Sequence, residues 1–327
     1  MRSDGLDLLR GIAVALVILR HTWPGVFAGA GVTGVVMFFA LSGYLITGVL
    51  ERDLASHGRV RLRRFYLRRA RRLVPALIVL VAAVAAVTIV FDPFGDRALL
   101  PRTVLAALTF TGDLPFGHGS DATFHLWTLA VEEQFYLLWP VLVAVAWRRG
   151  RLTRLLVAAT VVALLACALT VAWLHTTPDA AYSLPTTWAV CFVLGAAVRI
   201  HQARLRVPGW APAVALAVLA VLSMLPLRGH VPTYLLGGPV IAALTGVLVL
   251  RWSRWTSVRH TALRPLVWLG TVSYGAYLWN YPLTLLLRPL GGPVAAILAI
   301  GGTVLAAALS WHLVERPVMR LRRRTPA

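Results

Sequence analysis

The amino-acid sequence predicts an all-α integral membrane protein with about ten transmembrane helices and both termini in the cytoplasm. Three observations predict this fold class: the scarcity of charge, the length of the apolar segments, and the clustering of the basic residues between those segments. Apolar residues make up 59% of the 327 residues and charged residues only 13%. Soluble domains carry about 25% charged residues, so this chain has too few charges to cover a globule of its size in water.

Ten segments are long and apolar enough to be read as helices that cross a bilayer, which takes about 20 residues. A shorter apolar segment, residues 98–110, is predicted to be a re-entrant or interfacial helix. We expect one membrane domain over residues 1–327, with no fused soluble domain. The predicted spans are residues 8–26, 32–50, 73–91, 125–147, 152–174, 185–200, 210–227, 235–252, 266–287 and 294–314.

The arginines orient these spans. All 32 basic residues are arginine, and they concentrate in segments 52–72, 148–151, 199–206, 251–264 and 316–324. With ten spans these segments fall on one side of the membrane, which the positive-inside rule identifies as the cytoplasm. The net charge of +20 therefore indicates membrane topology, and we expect no nucleic-acid partner.

Two ionisable residues of the first span, Arg10 and His21, are the first candidates for a functional site, because such residues are costly in lipid. Eleven residues of helix separate them by roughly 16 Å and bring them to about the same face. An imidazole at this position suits general-base chemistry near neutral pH. The alternative is that Arg10 marks the inner interface and His21 is a hydrogen-bonded packing residue.

The fourth span contains adjacent carboxyl groups, Glu132 and Glu133. They point about 100° apart on a helix and so have different roles. A buried carboxylate needs a cation or a proton, which makes this pair a candidate site, with a helix-pairing polar cluster as the alternative. His125, at the outer end of this span, is interpreted as an interfacial residue.

A run of arginines precedes the third span and includes Arg69 and Arg72, which lie at i and i+3 on one helical face. Such a pair can bind phosphate oxygens bidentately. The alternative is an anchor on anionic lipid. Cys167 and Cys191 lie in apolar segments without metal-ligand spacing, and we expect no metal. Residues 29–34 match G-x-G-x-x-G without a preceding strand, so we dismiss a dinucleotide site.

Taken in order, these segments resemble the acyltransferase-3 family of bacterial membrane acyltransferases, which O-acylate surface polysaccharides and some macrolides. Any one motif is weak, but the ordered set is specific and covers nearly the whole chain. The motifs are Leu6–Gly11 through His21, Phe38–Tyr44 with Ser42, Arg69–Arg72 before Pro75, Leu126–Tyr136, Ser273–Pro282 and Glu315–Pro317. The chain departs from the family at Asn280, where many members carry histidine.

The resemblance implies transfer of an acyl group, acetyl or another short acyl, from cytoplasmic acyl-CoA to a hydroxyl. The acceptor would be a saccharide, a cell-surface glycan or a glycosylated metabolite. His21 would be the general base, and Glu132 would orient it. Ser42, Trp127 and Tyr136 are the candidates for donating a hydrogen bond to the oxyanion. The full set of residues expected to contact donor or substrate is Arg10, Arg69, Arg72, Ser42, Trp127, Glu133, Tyr136 and Asn280.

A second class of function is also compatible with polar residues in many spans. A polytopic transporter or exporter of an acylated or glycosylated product would have the same composition. An enzyme depends on acyl-CoA and on His21, whereas a transporter moves its substrate without covalent change. In either case we expect a multi-pass protein of a bacterial inner membrane.

Overall fold

The fold is described by a computed structural model, which covers residues 3–114 and 119–321. Regular structure in these residues is helical throughout. Three residues of the predicted last basic run, Arg322, Arg323 and Arg324, lie outside the described part. The α-helices are α1 (Asp4–Thr22), α2 (Ala30–His57), α3 (Leu62–Phe91), α4 (Leu100–Thr109), α5 (Trp127–Arg148), α6 (Leu152–Trp173), α7 (Pro185–His201), α8 (Ala211–Met224), α9 (Gly238–Trp252), α10 (Arg264–Thr271), α11 (Ser273–Leu287), α12 (Gly292–Leu309) and α13 (Arg316–Leu321).

Nine of the ten predicted spans each coincide with one helix and the ninth span coincides with two. Several boundaries differ, and three of the differences are informative. Helix α1 ends at Thr22, four residues early, because Pro24 disfavours helical geometry at the residue before it. Helix α3 begins at Leu62, so it includes the arginine run that the sequence placed before the span. The ninth span is divided at Val272 into α10 and α11.

Within residues 3–114 and 119–321, six helical segments are long and apolar enough to cross a membrane. The four other predicted spans fail this test for different reasons. Helix α1 carries four charged residues within 19, and α7, α8 and α11 each have fewer than 18 residues. The six segments are Ala30–His57, Leu62–Phe91, Asp121–Arg148, Leu152–Trp173, Thr233–Trp252 and Gly292–Arg320.

The surface of α6 shows what solvent this protein requires. Val162 is 65% exposed and Leu169 is 71% exposed, in a helix whose apolar residues occupy nearly every position. Contiguous apolar surface of this kind is unfavourable in water but not in hydrocarbon. The chain is a multi-pass helical membrane protein.

The helices form two compact units. The first consists of Met1–Val60 and Val131–Gly270, and the second of Arg61–Ala130 and Thr271–Ala327. In the first unit, α2 packs against α1, α7 and α9. In the second unit, α11 packs against α12, and α3 packs against α4 and α11.

Two π-helical turns interrupt otherwise regular helices. Thr233–Gly237 leads into α9, and Ser310–Glu315 joins α12 to α13. Such turns are rare and frequently lie at functional sites. The second one buries the carboxylate of Glu315, which accepts a hydrogen bond from Ser310 Oγ at 3.0 Å.

Candidate active site

Helix α1 carries the predicted pair Arg10 and His21. The guanidinium of Arg10 lies 3.7 Å from the carboxylate of Asp7, one turn earlier, and both side chains are largely buried. His21 lies in the last turn of the helix and is half-buried. The structure therefore confirms that both residues belong to one helix, and it places His21 at the helix end.

A close helix crossing fixes the start of α1. A Cβ atom at Gly11 would overlap the carbonyl oxygen of Leu266, and a Cβ at Gly270 would overlap that of Asp7. Only glycine permits backbones to approach this closely. The crossing of α1 with α10 thus holds the backbone that carries Asp7 and Arg10.

The clearest contact among the predicted residues joins Ser42 and Glu132. Ser42 Oγ on α2 donates a hydrogen bond to Glu132 Oε1 on α5, and both side chains are half-buried. The two residues lie 90 positions apart in the sequence. A carboxylate has two oxygens with about four acceptor positions, so Glu132 can accept further hydrogen bonds while Ser42 is bound.

An aromatic stack positions this pair. Phe192 on α7 stacks on Phe39 at 4.5 Å and on Phe135 at 4.6 Å between ring centroids, and Phe135 stacks on Trp139 at 5.3 Å. Phe39 and Phe135 each lie one turn from the bonded residues. The rings therefore set the distance between the faces of α2 and α5 that carry Ser42 and Glu132.

A second pair of glycines brings α7 close enough for this stack. A Cβ at Gly43 would overlap the carbonyl oxygen of Phe192, and a Cβ at Gly195 would overlap that of Ala40. Gly43 directly follows Ser42 in the sequence. The glycine of this motif is thus explained by the approach of α2 to α7.

Two other predicted residues lie on the same stretch of α5. Glu133 is half-buried. Tyr136 is buried, and its ring packs edge-to-face on Phe135 at 5.8 Å. Both belong to the first unit with Ser42, Glu132 and the α1 residues.

One ion pair in the first unit was not predicted from the sequence. Arg199 Nε on α7 lies 2.6 Å from Glu51 Oε2 on α2, and the guanidinium also lies over the ring of Tyr44 at 5.6 Å. A Cβ at Gly48 would lie 2.9 Å from Arg199 Nε. The sequence reading assigned Arg199 to a cytoplasmic basic segment, because spacing alone does not reveal an acidic partner 148 residues away.

The arginine run of the second unit is helical, as the i and i+3 spacing predicts. Arg69 is half-buried, while Arg68, Arg71 and Arg72 are exposed on α3. The hydroxyl of Tyr274 on α11 donates to the carbonyl oxygen of Leu73, at 2.9 Å, one residue after the run. The run is therefore attached to α11 at its end.

Trp127 and Asn280, the remaining predicted residues, are both buried in the second unit. Asn280 is fully buried on α11, and its Nδ2 donates to Thr303 Oγ1 of α12 at 3.2 Å. An asparagine at this position can therefore donate a hydrogen bond between helices without the proton chemistry of a histidine.

His125 differs most from its predicted environment. It is 3% exposed, so its interpretation as an interfacial residue is wrong. Its ring lies 5.6 Å from that of Tyr277 and 5.2 Å from that of Tyr281. The tyrosines of the α11 motif were the only signal in the sequence that could have indicated an aromatic environment.

The described residues contain no group of three or more His, Cys, Asp and Glu side chains that could hold a metal ion. What the first unit offers instead is an imidazole, a hydroxyl–carboxylate pair and a tyrosine within apolar helices. These groups can exchange protons and donate hydrogen bonds, which are the requirements of general acid–base and acyl-transfer chemistry. The second unit adds a half-buried arginine.

Comparison with known proteins gives a consistent result. The family described as an acyltransferase domain matches residues 3–315. Among curated proteins, the chain is 29% identical to the peptidoglycan O-acetyltransferase OatA of Listeria monocytogenes, over 97% of this chain and 55% of that protein. It is 30% identical to the putative peptidoglycan O-acetyltransferase YrhL of Bacillus subtilis, over 96% of this chain and 54% of that protein.

A third relative is the O-acetyltransferase OatA of Staphylococcus aureus, which is 25% identical over 97% of this chain and 57% of that protein. The chain thus spans about half the length of the curated relatives that it matches. No solved structure matches it significantly.

Proposed function

Because the chain belongs to the acyltransferase-3 family of membrane acyltransferases, we propose that it transfers a short acyl group, in the first instance acetyl, to a hydroxyl of a saccharide. The relatives named as peptidoglycan O-acetyltransferases make a cell-wall glycan the first acceptor to test. The observation that carries the proposal is the Ser42–Glu132 hydrogen bond, which places a carboxylate and a hydroxyl together inside the apolar first unit.

In the proposed reaction, His21 removes the proton from the acceptor hydroxyl. The oxygen then attacks the carbonyl carbon of the acyl thioester, the carbon–sulfur bond breaks, and the thiolate leaves and takes up a proton. Glu132 stabilises the imidazolium of His21, as the acid of a catalytic triad does. Glu133, which follows Glu132 on α5, contacts the substrate in this proposal.

The developing oxyanion requires a hydrogen-bond donor. Ser42 has a single hydroxyl hydrogen, and it is donated to Glu132, so Ser42 serves an oxyanion only by releasing this bond. The indole N–H of Trp127 and the hydroxyl of Tyr136 are the other two groups proposed for this role. Asn280 is proposed to contact substrate through its amide.

The proposed donor is acyl-CoA. Arg69 and Arg72 would bind its phosphates, because guanidinium groups one turn apart match phosphate oxygens. Arg69 is half-buried and Arg72 is exposed, so the pair offers one positioned group and one accessible group. Arg10 is proposed as a further donor contact, although its ion pair with Asp7 gives it a structural role as well.

The proposal also includes the number of spans and the side of the membrane on which each end of the chain lies. Ten spans would place both termini and the arginine-rich segments on the cytoplasmic side of a bacterial inner membrane, which gives Arg69 and Arg72 access to a cytoplasmic donor. Single cysteines placed in segments 52–72 and 316–324 should resist a membrane-impermeant thiol reagent in intact cells and react after permeabilisation. The native Cys167 and Cys191 are buried, so the background is low. Labelling of either segment from outside would overturn this topology.

The second candidate function, a transporter of an acylated product, is favoured by polar residues in spans. Mass spectrometry of surface glycans and secreted metabolites separates the two. A deletion strain should lose an acetyl-sized mass from one product in total cell material, and the wild-type gene should restore it, but His21→Gln should not. If the acetylated product instead accumulates inside the deletion strain, the protein is an exporter.

A further inference from the structure

Helix α11 contains a proline in its interior, and this leaves one of its carbonyl groups without a helical donor. In an α-helix, the N–H of residue i donates to the carbonyl of residue i−4. Pro282 has no N–H, so the carbonyl of Leu278 lacks its usual partner. A buried carbonyl without a hydrogen bond is strongly unfavourable, and Leu278 is fully buried.

The missing donor is supplied by His125. Its Nε2 atom lies 3.1 Å from the carbonyl oxygen of Leu278, 153 residues away in the sequence. A carbonyl oxygen only accepts hydrogen bonds, so Nε2 must carry the hydrogen. In the neutral ring, this contact fixes the tautomer of His125 with its proton on Nε2.

Two hydroxyl groups strengthen the same connection. Tyr277 on α11 donates its hydroxyl hydrogen to the carbonyl oxygen of His125 at 2.9 Å. The same hydroxyl lies 2.6 Å from Thr128 Oγ1, on the first turn of α5. The segment around His125 is therefore joined to α11 through a side chain and through its backbone.

We propose that His125 is a positioning residue for the acyl transfer, because it holds in place the two segments that carry Trp127 and Asn280. Trp127 lies between His125 and Thr128, and Asn280 lies between Leu278 and Pro282. This inference rests on the proposed function, since it concerns the placement of residues assigned to substrate. It predicts a role that depends on the Nε2 hydrogen, with no proton transferred to or from His125.

The chain offers a matched test, because the need for His125 arises from Pro282. His125→Leu removes the donor and keeps an apolar side chain, whereas His125→Gln retains an amide N–H at a comparable reach. Pro282→Ala returns a backbone N–H to the Leu278 carbonyl. The four proteins and the double variant His125→Leu/Pro282→Ala are purified in detergent and assayed for transfer of labelled acetyl from acetyl-CoA to a glycan acceptor, with thermal melting in parallel.

We expect His125→Leu to lower kcat by about tenfold or more, because the segments that carry Trp127 and Asn280 lose their fixed placement. His125→Gln should stay within about threefold of the wild type. Pro282→Ala should restore most of the activity and melting temperature that His125→Leu loses. An equal loss in both backgrounds would show that His125 does not act through Leu278. A folded but inactive His125→Gln would assign it a chemical role, and a fully active His125→Leu would reduce it to packing.

The melting temperatures keep this inference separate from the proposed function. If the wild type transfers no acetyl, the proposed function fails in this assay. The destabilisation by His125→Leu should still be larger in the wild-type background than in the Pro282→Ala background. Equal destabilisation in the two backgrounds overturns the His125–Leu278 connection even if the enzyme is active.

Discussion

The two units use polar residues in different ways. In the first unit, the side chains of α2 bond to other side chains. Ser42 donates to Glu132, Glu51 accepts from Arg199, and Thr47 accepts from the indole N–H of Trp139 at 2.8 Å. In the second unit, the bonds around α11 mostly end on main-chain carbonyls, at Leu73, His125 and Leu278. The contacts of Asn280 with Thr303 and of Tyr277 with Thr128 join side chains and are the exceptions among the described bonds.

This difference suggests a division of roles. A side-chain pair can change partners or exchange a proton when substrate arrives, so the first unit is suited to chemistry. A side chain bonded to a carbonyl fixes the path of the backbone, so the second unit is suited to binding and positioning. Substitutions of the polar residues inside the spans of the first unit should therefore lower kcat, and those in the arginine run of the second should raise KM for the donor.

The largest effect is expected at His21. General-base catalysis typically contributes about 10²–10⁴-fold, so His21→Ala should lower kcat by that order with normal expression. His21→Gln keeps hydrogen bonding but takes up no proton near neutral pH, and should be equally impaired. Steady-state rates of the purified variants check this. Near wild-type turnover in His21→Gln would make His21 a packing residue and direct the search for the base to Glu132.

Glu132 and its partner Ser42 should differ from each other. Glu132→Gln keeps the shape and can still accept from Ser42, but it removes the charge that stabilises the imidazolium, and should lower kcat by about 10²-fold. Ser42→Ala leaves the carboxylate in place and should cost about tenfold or less. Turnover measurements on both variants show which substitution lowers kcat more. A larger loss in Ser42→Ala would assign the principal role to the hydroxyl.

Substitutions in the arginine run should raise KM for acetyl-CoA. Arg69→Gln with Arg72→Gln removes two phosphate contacts, and each charge-assisted bond is worth roughly 1.5–3 kcal/mol, so KM for acetyl-CoA should rise by at least about tenfold with kcat little changed. Arg63→Gln with Arg64→Gln is the matched control, because it removes equal charge from exposed positions of the same helix. Equal KM changes in the two double variants would reduce the run to a membrane anchor.

The smallest effect is expected at an ion pair of the first unit outside the spans. Arg228 Nε and Nη2 donate to the two carboxylate oxygens of Asp179 at 2.7 and 2.8 Å. The hydrogen bonds that Arg228 donates to Asp179 raise the pKa of its guanidinium, which stays charged. Both side chains are exposed, so Asp179→Asn should change stability by about 1 kcal/mol or less, with no change in kcat. A large loss of turnover in this variant would contradict the division of roles.

Much of the fold follows from composition, since apolar length predicts an all-helical membrane protein and every predicted span falls on helical structure. The helix boundaries depend on local chemistry that is partly visible, as at Pro24 before the end of α1. The π-helical turns and the break at Val272 were not predicted, because they leave the hydropathy pattern unchanged.

The site was predictable as a set of residues but not as a set of contacts. His21, Glu132 and Arg69 stand out because ionisable groups are costly in apolar segments. The partnership of Ser42 with Glu132 depends on the fold, as does that of Glu51 with Arg199. His125 was misread because burial cannot be inferred from a position near a helix end, and its role becomes visible only when Pro282 is considered four residues after Leu278.

The most direct test of acyl transfer is a reconstitution with defined components. The purified protein in lipid nanodiscs is given acetyl-CoA labelled in the acetyl group and a glycan acceptor, and the acceptor is analysed by mass spectrometry. We expect an acceptor heavier by one labelled acetyl group, formed by the wild type and reduced in amount by about 10²-fold or more with His21→Gln. An acceptor of unchanged mass with the wild type, or equal labelling by His21→Gln, would contradict it.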